Sequence, residues 1–518
     1  MAETADLCSI DDFVKHWAAE RPDATILEEG DERLTFAESE EMGRRIVTAL
    51  AAMGVGKGDR IAWLGKNSAL YFQLLFSAGR AGIVTVPIGW RLATPEVEFI
   101  LRDTGAKLVF AGEGFEDAAR EAAELAPQRP RVVPEAEARE RFATAPADPF
   151  EPAGPDDAVL QLYTSGTTGN PKGAVLSSRN LYGLRTAAAS AELPWQEYGE
   201  DEAILICMPC AHIGGTGLGI MSLGAGIRGI VQREFTPEGC LAGIEQGVTR
   251  FFIVPAALQM VIQHPRAKTT DFSKLKYVMY GAAPIPLELL RQAVETIPNA
   301  SFLQCYGMTE TTGTIAILPP EDHALDGNPR MRSAGKALPG VEIRIVGPDG
   351  AELPRGQVGE IVTRSSNNML GYWNLPEATA STLTADGWVH TGDAAYMDED
   401  GYIYIQDRMK DMIISGGENV YPAEVESAIY GHPDVAEVAV IGVPDDKWGE
   451  AVKACVVPKP GREVDPDNVI AWARERIAAF KAPKSVDVIP ELPRNPSGKI
   501  LRRQLREPYW EGRERRVN

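Results

Sequence analysis

The chain has 518 residues, which leaves room for three or four compact units, and its 44% hydrophobic and 24% charged residues are ordinary for a globular protein. Its net charge of −21 argues against a nucleic-acid partner, because a phosphate backbone needs a basic footprint on the protein that binds it. Six scattered cysteines suit a reducing compartment, so the sequence predicts a cytoplasmic location.

The sequence predicts neither a signal peptide nor a membrane-spanning helix. The N-terminus carries acidic residues and no apolar core, so it does not resemble a signal peptide. Residues 203–227 form the only long run without Asp, Glu, Lys or Arg, but they hold Pro209, His212 and six glycines. This run lacks the continuous apolar stretch of a membrane helix, so we predict a buried segment and no transmembrane segment.

The first part of the chain alternates between helical and strand patterns. We predict a helix over residues 10–17, a strand over 60–64, a helix over 69–81 and a strand over 83–87. Strand–helix–strand alternation indicates a parallel sheet with helices packed on it. Residues 113–157 are rich in Ala, Glu, Pro and Arg, and we expect them to form a surface connection with helical pieces.

The alternation resumes with a strand at 158–163 and continues to about residue 320, which predicts a second α/β subdomain. From residue 341 the rhythm changes to hairpins. Strand patterns at 341–346 and 358–362 flank a Pro-Asp-Gly turn, and Asp400-Gly401 marks another turn. We expect this part to be a small, distorted antiparallel barrel.

The last part of the chain is predicted to be a small α+β domain. Its expected elements are a short strand at 412–414, a helix from Tyr421-Pro422, strands at 435–443 and 451–457, and an amphipathic helix at 469–480. The predicted fold class is therefore α/β. A large N-terminal domain (1–406) holds two α/β subdomains and the barrel, and a small C-terminal domain (407–518) follows.

Cys207 and Cys210 have the C-x-x-C spacing and are followed by His212. A zinc site of this type needs a second pair of ligands, and the sequence has no second Cys pair. We therefore expect the end of a buried strand here, and no metal site.

The segment Tyr163-Thr-Ser-Gly-Thr-Thr-Gly-Asn-Pro-Lys-Gly173 is predicted to bind phosphate. Its glycines let the backbone wrap around a phosphate and point several N–H groups at it, while its hydroxyls and Lys172 add donors and positive charge. Gly166 and Lys172 have the Walker separation, but Pro171 replaces the required glycine and Gly173 replaces the Ser or Thr, which disfavours a Walker NTPase. A loop without a ligand is the simpler alternative, and the composition of these residues argues against it.

With the motifs that follow it, this loop resembles the signature of the adenylate-forming superfamily of acyl-CoA synthetases, peptide-synthetase adenylation domains and beetle luciferases. The matching motifs, in the order of that family, are Gly281-Ala-Ala-Pro284, Gln304-Cys-Tyr-Gly-Met-Thr-Glu310, His390-Thr-Gly-Asp393, Asp407-Arg-Met-Lys-Asp411, Ser415-Gly-Gly-Glu-Asn-Val420 and Arg494-Asn-Pro-Ser-Gly-Lys499. The resemblance covers about residues 160 to 503. It implies an enzyme that activates a carboxylic acid as an acyl-adenylate.

The resemblance implies a site for ATP and Mg²⁺. Glu310 and Thr164 would offer oxygen ligands to the metal, and Tyr306 an aromatic face to adenine. Asp393 would accept hydrogen bonds from the ribose, and Lys499 would reach both the substrate carboxylate and the α-phosphate. The implied ATP contacts are Thr164, Ser165, Gly166, Thr167, Thr168, Gly169, Lys172, Gly281, Ala282, Ala283, Gln304, Cys305, Tyr306, Gly307, Met308, Thr309, Asp393, Arg408 and Lys499. An isolated Asp, Glu or Lys is usually a charged surface residue. The prediction of a site depends on the whole set of motifs occurring in the order of the family.

The second half-reaction places other demands on the chain. The CoA thiol would attack from a direction that Lys499 blocks, so the resemblance implies that the C-terminal domain swings about Asp407 between the steps. The residues implied in CoA binding are Gly416, Gly417 and Glu418, which would line the pantetheine tunnel, and Trp448, Phe480 and Lys484, which resemble nucleotide contacts of some aryl-CoA ligases. An ordinary core position is the alternative for the two aromatic residues.

The implied acyl pocket consists of His212, Ile213, Gly214, Gly281, Gly307 and Met308, and the implied catalytic residues are Lys499, His212, Thr164 and Glu310. Ile213 stands where adenylation domains for amino acids typically carry Asp, so an α-amino acid is not expected. Glycines at 214, 215, 217 and 219 are expected to leave space, which favours a fatty or bulky alicyclic acid over an aryl acid. Helix packing is the other role of such glycines.

The expected partners are a small-molecule carboxylic acid, ATP and CoA. Only 19 residues follow Lys499, so no carrier-protein domain is expected and free CoA is the predicted acceptor. Another acceptor, such as a carrier protein or oxygen, and a catalytically idle homologue are the alternatives. The presence of Lys172, Glu310, Asp393 and Lys499 argues against the idle homologue. The Arg-rich end at 513–516 is expected to be a solvated tail, with weak peripheral membrane contact as the alternative. A homodimer stays open.

Overall fold

The computed structural model describes residue 4 and residues 6–164, 171–191, 193–324, 328–409, 411–494 and 500–511. The predicted site residues that lie outside this part of the chain are Ser165, Gly166, Thr167, Thr168, Gly169 and Lys499. Among the described residues, no helix combines the length and the apolar character needed to cross a membrane.

The helices and strands follow one another in chain order. The helices are α1 (Ile10–Glu20), α2 (Phe36–Ala52), α3 (Ala69–Arg80), α4 (Thr94–Thr104), α5 (Glu116–Leu125), α6 (Glu135–Thr144), α7 (Ser178–Tyr182), α8 (Arg185–Ala189), α9 (Ile213–Ala225), α10 (Pro237–Glu245), α11 (Pro255–Gln263), α12 (Leu287–Thr296), α13 (Pro376–Thr382), α14 (Pro422–Tyr430), α15 (Pro466–Arg474) and α16 (Arg502–Trp510). The strands are β1 (Thr25–Glu29), β2 (Glu32–Thr35), β3 (Arg60–Leu64), β4 (Val84–Ile88), β5 (Leu108–Ala111), β6 (Arg131–Pro134), β7 (Ala158–Thr164), β8 (Lys172–Ser177), β9 (Ala203–Ile206), β10 (Arg228–Val231), β11 (Arg250–Ile253), β12 (Tyr277–Gly281), β13 (Ser301–Met308), β14 (Gly313–Leu318), β15 (Lys336–Ala337), β16 (Glu342–Val346), β17 (Gly359–Arg364), β18 (Gly371–Tyr372), β19 (Val389–Met397), β20 (Ile403–Arg408), β21 (Ile413–Ser415), β22 (Glu418–Val420), β23 (Val435–Asp445), β24 (Gly449–Pro458) and β25 (Ser485–Val488).

Two mixed sheets form the predicted α/β subdomains. The first has seven strands in the order β18-β8-β7-β4-β3-β5-β6, and the second has nine in the order β15-β14-β13-β12-β11-β9-β10-β1-β2. The centre of each sheet is parallel, and antiparallel strands are added at the edges. Ligands of α/β proteins collect beyond the carboxyl ends of parallel strands. The carboxyl ends of β7, β9, β12 and β13 carry the predicted site motifs.

Helix α3 lies between the two sheets. It contacts β4 and β7 of the first sheet and β1 of the second, and every residue from Leu70 to Arg80 is buried. A helix that is apolar on all sides needs such a fully enclosed position. Arg80 ends the helix in the core, where its guanidinium bonds to Asp11 at 2.7 Å and to Glu40 at 3.2 Å. These ion pairs compensate for the loss of water around the buried charge.

The two smaller sheets are antiparallel in character. β16, β17, β19 and β20 form a four-stranded antiparallel sheet in the part predicted as a small distorted barrel. In the C-terminal domain, β22, β21, β24 and β23 form the sheet, and β25 adds to β24 in parallel. Val438 and Val440 of β23 belong to a core with α14 and α15, while Ala439 and Ile441 pack towards α16. Helices therefore cover both faces of this sheet.

Two sequence predictions about elements were wrong. Residues 113–157 are more than a surface connection, because β6 within them pairs with β5 and extends the first sheet. A four-residue strand with two adjacent valines is too short to give a periodic signal. The helix predicted over 469–480 instead covers Pro466–Arg474, because Asp465 caps its start and accepts a hydrogen bond from Asp467 N.

Candidate active site

The two strands that carry the predicted phosphate loop lie side by side. β7 ends at Thr164 and β8 begins at Lys172, and the two residues pair across the antiparallel ladder. Thr164 Oγ1 lies 3.5 Å from the Lys172 carbonyl oxygen. A Cβ on Gly173 would lie 2.4 Å from Gln161 Nε2, so a side chain at this position would displace the Gln161 amide. Thr164 and Lys172 thus mark the two ends of the loop.

A polar network behind β7 supports the start of this loop. Gln161 accepts a hydrogen bond from Arg60 Nε at 2.9 Å and donates one to the Tyr163 hydroxyl at 3.1 Å. The Tyr163 hydroxyl donates to the Asp103 carboxylate, and burial raises the pKa of Tyr163, which keeps this donor protonated. Trp373 completes the network, because its ring lies 3.3 Å from the Arg60 guanidinium and its Nε1 donates to the Asp103 carbonyl at 2.9 Å.

The predicted adenine side lies where β12 and β13 end. A Cβ on Gly281 would lie 2.1 Å from the Cys305 carbonyl oxygen, and one on Gly307 would lie 1.7 Å from the Gly313 carbonyl oxygen. Both glycines therefore allow backbones to approach more closely than any side chain permits. Ala282 has φ +64°, a left-handed conformation that is uncommon for a residue with a side chain. Strained backbone of this kind concentrates at ligand sites.

Glu310, the predicted metal ligand, lies buried in the 3₁₀ turn Thr309–Thr311 directly after β13. Its Oε1 accepts a hydrogen bond of 2.7 Å from the Tyr372 hydroxyl. The ring of Tyr372 also faces Lys172, whose Nζ lies 4.9 Å from the ring centroid. A carboxylate and a lysine from distant parts of the chain therefore meet at one tyrosine.

Asp393, the predicted ribose ligand, is held from two sides. Its Oδ2 accepts a hydrogen bond of 2.7 Å from the Tyr306 hydroxyl, and its Oδ1 lies 2.9 Å from Arg408 Nε. Burial lowers the pKa of the Arg408 guanidinium, but the surrounding acidic groups, with Asp393 first and Glu310 among them, outweigh it and raise that pKa above its ordinary value. Tyr306 lies in β13, which leads directly into the Glu310 turn, so one segment carries both the metal candidate and a residue bonded to the ribose candidate.

The predicted acyl side lies at the start of α9. His212 is the N-cap residue of this helix, and burial lowers the pKa of its imidazole, which favours the neutral form. Ile213 Cγ1 would lie 3.5 Å from a Cβ on Gly313, and the Phe252 ring would lie 3.1 Å from a Cβ on Gly214. Apolar side chains thus line this side, and Phe252 was not predicted from the sequence because a phenylalanine in a strand reads as core.

The expectation that the α9 glycines leave space was wrong for two of them. A Cβ on Gly215 would lie 2.2 Å from the Pro209 carbonyl oxygen, and one on Gly219 would lie 2.3 Å from the Phe72 ring. These glycines let α9 pack tightly against its neighbours. Gly217 differs, because its nearest neighbour would be Ile213 Cδ1 at 3.8 Å. The glycine content of α9 therefore says little about the size of the acid.

Replacement of Gly215 with alanine is expected to destabilise the protein by about 1–3 kcal/mol, because the new methyl group collides with backbone that cannot turn away. Gly217→Ala is the matched control on the same helix, and it is expected to be neutral or stabilising by about 0.5–1 kcal/mol, the helix preference of alanine over glycine. Chemical denaturation of both variants measures the difference. Equal stability of the two variants would contradict the packing role of Gly215.

The predicted CoA residues lie in the C-terminal domain. Gly416 has φ +64°, and a Cβ there would lie 2.7 Å from the Trp448 ring. The absence of a side chain at Gly416 therefore lets this tryptophan pack against the backbone. Gly417 has φ +87° and open space around it. Trp448 and Phe480 are 41% and 42% exposed, which is unusual for large aromatic side chains and argues against plain core positions. Burial and the Arg474 charge lower the pKa of the Lys484 ammonium.

Asp407, the predicted hinge, is buried at the domain boundary. It lies within β20, and the chain leaves that sheet after Arg408. Its Oδ2 accepts a hydrogen bond of 2.9 Å from Ala423 N in the C-terminal domain, and its Oδ1 lies 3.7 Å from Arg502 Nη1. Burial raises the pKa of Asp407 to about 6, with Arg502 opposing and Glu426 reinforcing the shift. Its role as a hinge stays a prediction.

Lys499 itself lies outside the described residues, but the chain on either side is fixed. Arg494 and Ile500 form an isolated antiparallel bridge. Arg502 then binds Glu426 through Nη2 at 2.7 Å and Nε at 3.1 Å. The base of the predicted lysine loop is therefore anchored to α14.

The C-x-x-C segment lies in the core of the second subdomain. Cys207, Cys210 and Cys240 are all buried. In the part of the chain that the structure describes, no three His, Cys, Asp or Glu residues are grouped as metal ligands. Cys207 is packed with Leu205 and Met208 in one buried apolar cluster.

Comparison with known proteins identifies the family. The chain belongs to the AMP-binding enzyme family, since the model of that family matches residues 14–373 and the model of the AMP-binding enzyme C-terminal domain matches residues 424–499. It is an ATP-dependent acid–thiol ligase, and its mixed α/β fold is that of the adenylate-forming superfamily that the motifs resemble.

Two relatives and one solved structure illustrate the similarity. The chain is 41% identical to a fatty acid–[acyl-carrier-protein] ligase, ScoC, of Streptomyces coeruleorubidus, over 94% of this chain and 93% of that protein. It is also 41% identical to a feruloyl-CoA synthase of an Amycolatopsis species, over 94% of this chain and 96% of that protein. ATP-bound MatB from Rhodopseudomonas palustris superposes with a TM-score of 0.87 at 32% identity, over 97% of this chain and 99% of that one.

Proposed function

We propose that the enzyme activates an apolar carboxylic acid with MgATP and passes the acyl group to CoA. A carboxylate oxygen attacks the α-phosphorus, the bond to the β-phosphate oxygen breaks, and pyrophosphate leaves. The thiol sulfur then attacks the acyl carbon, and AMP leaves with the carboxylate-derived oxygen. The observation that carries the proposal is the meeting of Lys172 and Glu310 at Tyr372, together with the Asp393–Arg408 pair, which is bonded to Tyr306 of the strand that leads to Glu310.

The groups in this site suit the charge problem of the first step. Two anions must come together, so positioning and charge neutralisation carry most of the catalysis. Lys172 would neutralise phosphate, Asp393 would hold the ribose, and Tyr306 would present its ring to adenine while its hydroxyl bonds to Asp393. These roles follow from the residue types and from the contacts that join Lys172 to Tyr372 and Tyr306 to Asp393.

A magnesium ion fits the donors that are present. Mg²⁺ in nucleotide enzymes is usually held by one or two carboxylates together with substrate phosphates, and not by a cage of protein ligands. Glu310 supplies one buried carboxylate, and Thr164 supplies a hydroxyl at the start of the loop. When bound, the ion would neutralise phosphate charge. Glu310 and Thr164 are the residues that would hold it.

We infer that the two half-reactions use different placements of the C-terminal domain. Lys499 would serve the first step from a loop whose base is fixed by the Arg494–Ile500 bridge. Asp407, at the boundary, would mark the hinge. Gly416, Gly417 and Glu418 would pass the pantetheine arm, with Trp448, Phe480 and Lys484 near the CoA nucleotide, a role that the exposure of both aromatic rings supports.

The acid is proposed to be fatty or bulky and apolar, with an aryl acid as the alternative. Ile213 and Phe252 offer only apolar surface at the start of α9, and no Asp or Glu occurs in residues 203–227 to hold an amine. The relatives support both versions, since one is a fatty acid–[acyl-carrier-protein] ligase and the other a feruloyl-CoA synthase. Because Gly215 and Gly219 are tightly packed, the glycines of α9 no longer favour a fatty acid over an aryl acid.

Two assays test this proposal. Pyrophosphate release is measured with MgATP and a panel of fatty, alicyclic, aryl and amino acids, and we expect apolar acids to be turned over and amino acids to be inert. The best acid is then offered CoA or a phosphopantetheinylated carrier protein, and we expect the CoA thioester. Pyrophosphate release without CoA turnover would favour the carrier protein that the ScoC name mentions. No pyrophosphate with any acid would contradict the proposal.

The enzyme is further proposed to work in the cytoplasm. All six cysteines are free thiols in the structure, which suits a reducing compartment. Residues 512–518, which carry the predicted basic tail, lie outside the described residues. Whether the protein forms a homodimer is tested by analytical ultracentrifugation without vesicles. Whether it contacts membranes weakly is tested by the same measurement with anionic vesicles.

A further inference from the structure

Residues 367–373 form a strap that joins the two halves of the phosphate site. On one side, Met369 N donates to the Glu310 carbonyl at 2.8 Å, and Thr312 Oγ1 donates to the Asn367 carbonyl at 2.6 Å. The strap therefore contacts the turn that presents Glu310 at Glu310 itself and at Thr312, directly after the turn. None of these contacts involves the acid pocket.

On its other side, the strap pairs with the strand that follows the phosphate loop. β18 pairs with β8 in antiparallel fashion, with Tyr372 opposite Ala174. The hydrogen bonds that flank this pairing run from Leu370 N to the Val175 carbonyl at 2.9 Å and from Trp373 N to the Gly173 carbonyl at 2.8 Å. The strap thus fixes the distance between the Glu310 turn and the start of β8, where Lys172 lies.

The side chain of Tyr372 points into the site that the strap encloses. Its hydroxyl donates to Glu310 Oε1 at 2.7 Å, while Oε2 of Glu310 has no hydrogen-bond partner within the described residues. A tyrosine hydroxyl carries its proton at neutral pH, so it acts as the donor in this hydrogen bond. A donor on one carboxylate oxygen fixes the rotamer and leaves the second oxygen directed at a ligand.

The ring of Tyr372 has a second contact that a plain core residue would not need. Lys172 Nζ lies 4.9 Å from its centroid, a distance at which the electron-rich face attracts an ammonium group. Both charged groups that face the phosphates are therefore oriented by one side chain, through its hydroxyl and its face. Tyr372 is only 9% exposed, so its position is set by its surroundings.

We infer that Tyr372 is a positioning residue of the first half-reaction: it directs Glu310 towards the metal and Lys172 towards the phosphates. This inference rests on the proposed function, in which Glu310 holds Mg²⁺. It predicts that loss of the hydroxyl weakens metal binding, whereas loss of the whole ring also weakens ATP binding. The second half-reaction needs neither contact.

The test compares Tyr372→Phe with a matched control, Tyr402→Phe. The Tyr402 hydroxyl donates to the buried Asp322 carboxylate at 2.6 Å, and Lys336 Nζ lies 4.5 Å from its ring, so the same kinds of contact are made elsewhere. Both variants are expected to lower the melting temperature to a similar extent. Mn²⁺ binding is measured by electron paramagnetic resonance in the presence of a non-hydrolysable ATP analogue, and Mg²⁺ dependence by pyrophosphate release.

Tyr372→Phe is expected to weaken Mn²⁺ binding and to raise the half-saturating Mg²⁺ concentration by about 10–100-fold, while Tyr402→Phe changes neither. Tyr372→Leu is expected to add a rise in the KM for ATP, because Lys172 loses the ring. Thioester formation from preformed acyl-adenylate should be unchanged in all variants. Unchanged metal binding in Tyr372→Phe, with or without a lower melting temperature, would overturn the inference. Absence of metal-dependent pyrophosphate release in the unmodified enzyme would instead overturn the proposed function.

Discussion

Lys499→Ala is expected to slow acyl-adenylate formation by about 10²–10³-fold, the usual effect of removing one preorganised donor from a transition-state charge. Thioester formation from preformed acyl-adenylate should change far less, because the proposed second step has the lysine loop away from the reaction. Rapid-quench measurement of each half-reaction separately gives the two rates. The prediction concerns the ratio of the rate loss in acyl-adenylate formation to the rate loss in thioester formation.

A surface lysine of the same domain provides the control. Lys459 donates from Nζ to the Pro433 carbonyl at 2.9 Å, far along the chain from the predicted loop. Lys459→Ala is expected to leave both half-reactions at their original rates. Equal losses in both steps for Lys499→Ala would remove the case for two placements of the C-terminal domain, although they would leave acid activation itself intact.

Glu310→Gln is expected to reduce pyrophosphate release by on the order of 10²-fold or more, since metal neutralisation of phosphate contributes several kcal/mol to such transition states. The glutamine oxygen can still accept the hydrogen bond from Tyr372, so the turn keeps its shape while the charge is lost. Steady-state rates across an Mg²⁺ titration measure the effect. The loss should be partly recovered at high metal concentration.

Glu202→Gln is the matched control for a buried carboxylate. Glu202 is buried and pairs with Arg250 and with Lys276, at 2.8 Å from the lysine Nζ. Its replacement is expected to lower stability without altering the Mg²⁺ dependence. A normal Mg²⁺ titration curve in Glu310→Gln would exclude Glu310 as the metal ligand, and Thr164 would then be the next candidate to change.

Site residues could be predicted from the sequence where they lie close together along the chain. Thr164 and Lys172 were predicted from one loop. The strand predicted before that loop is confirmed as β7, whereas β8, which follows the loop, was not predicted. Asp393 and Arg408 lie in separate motifs, and the hairpin of β19 and β20 places them opposite each other. In each case, short-range patterns were enough because the antiparallel pairing is close along the chain.

Tyr372 shows why the rest of the site was missed. It contacts Glu310 across 62 residues of sequence, and a single tyrosine in a two-residue strand carries no periodic signal. The α9 glycines show a different limit. The sequence alone does not distinguish a glycine that leaves room for a ligand from one that lets Phe72 pack against a helix. The surrounding side chains in the folded structure distinguish them.

The most direct measurement follows the oxygen atoms of the acid. A carboxylic acid labelled with ¹⁸O in both carboxylate positions is turned over with MgATP and CoA, and the AMP and phosphate products are analysed by mass spectrometry. Attack of the carboxylate on the α-phosphorus predicts one heavy oxygen in AMP and none in pyrophosphate. Heavy oxygen in inorganic phosphate, with unlabelled nucleotide, would mean an acyl-phosphate route and would contradict the proposed activation of the acid as an adenylate.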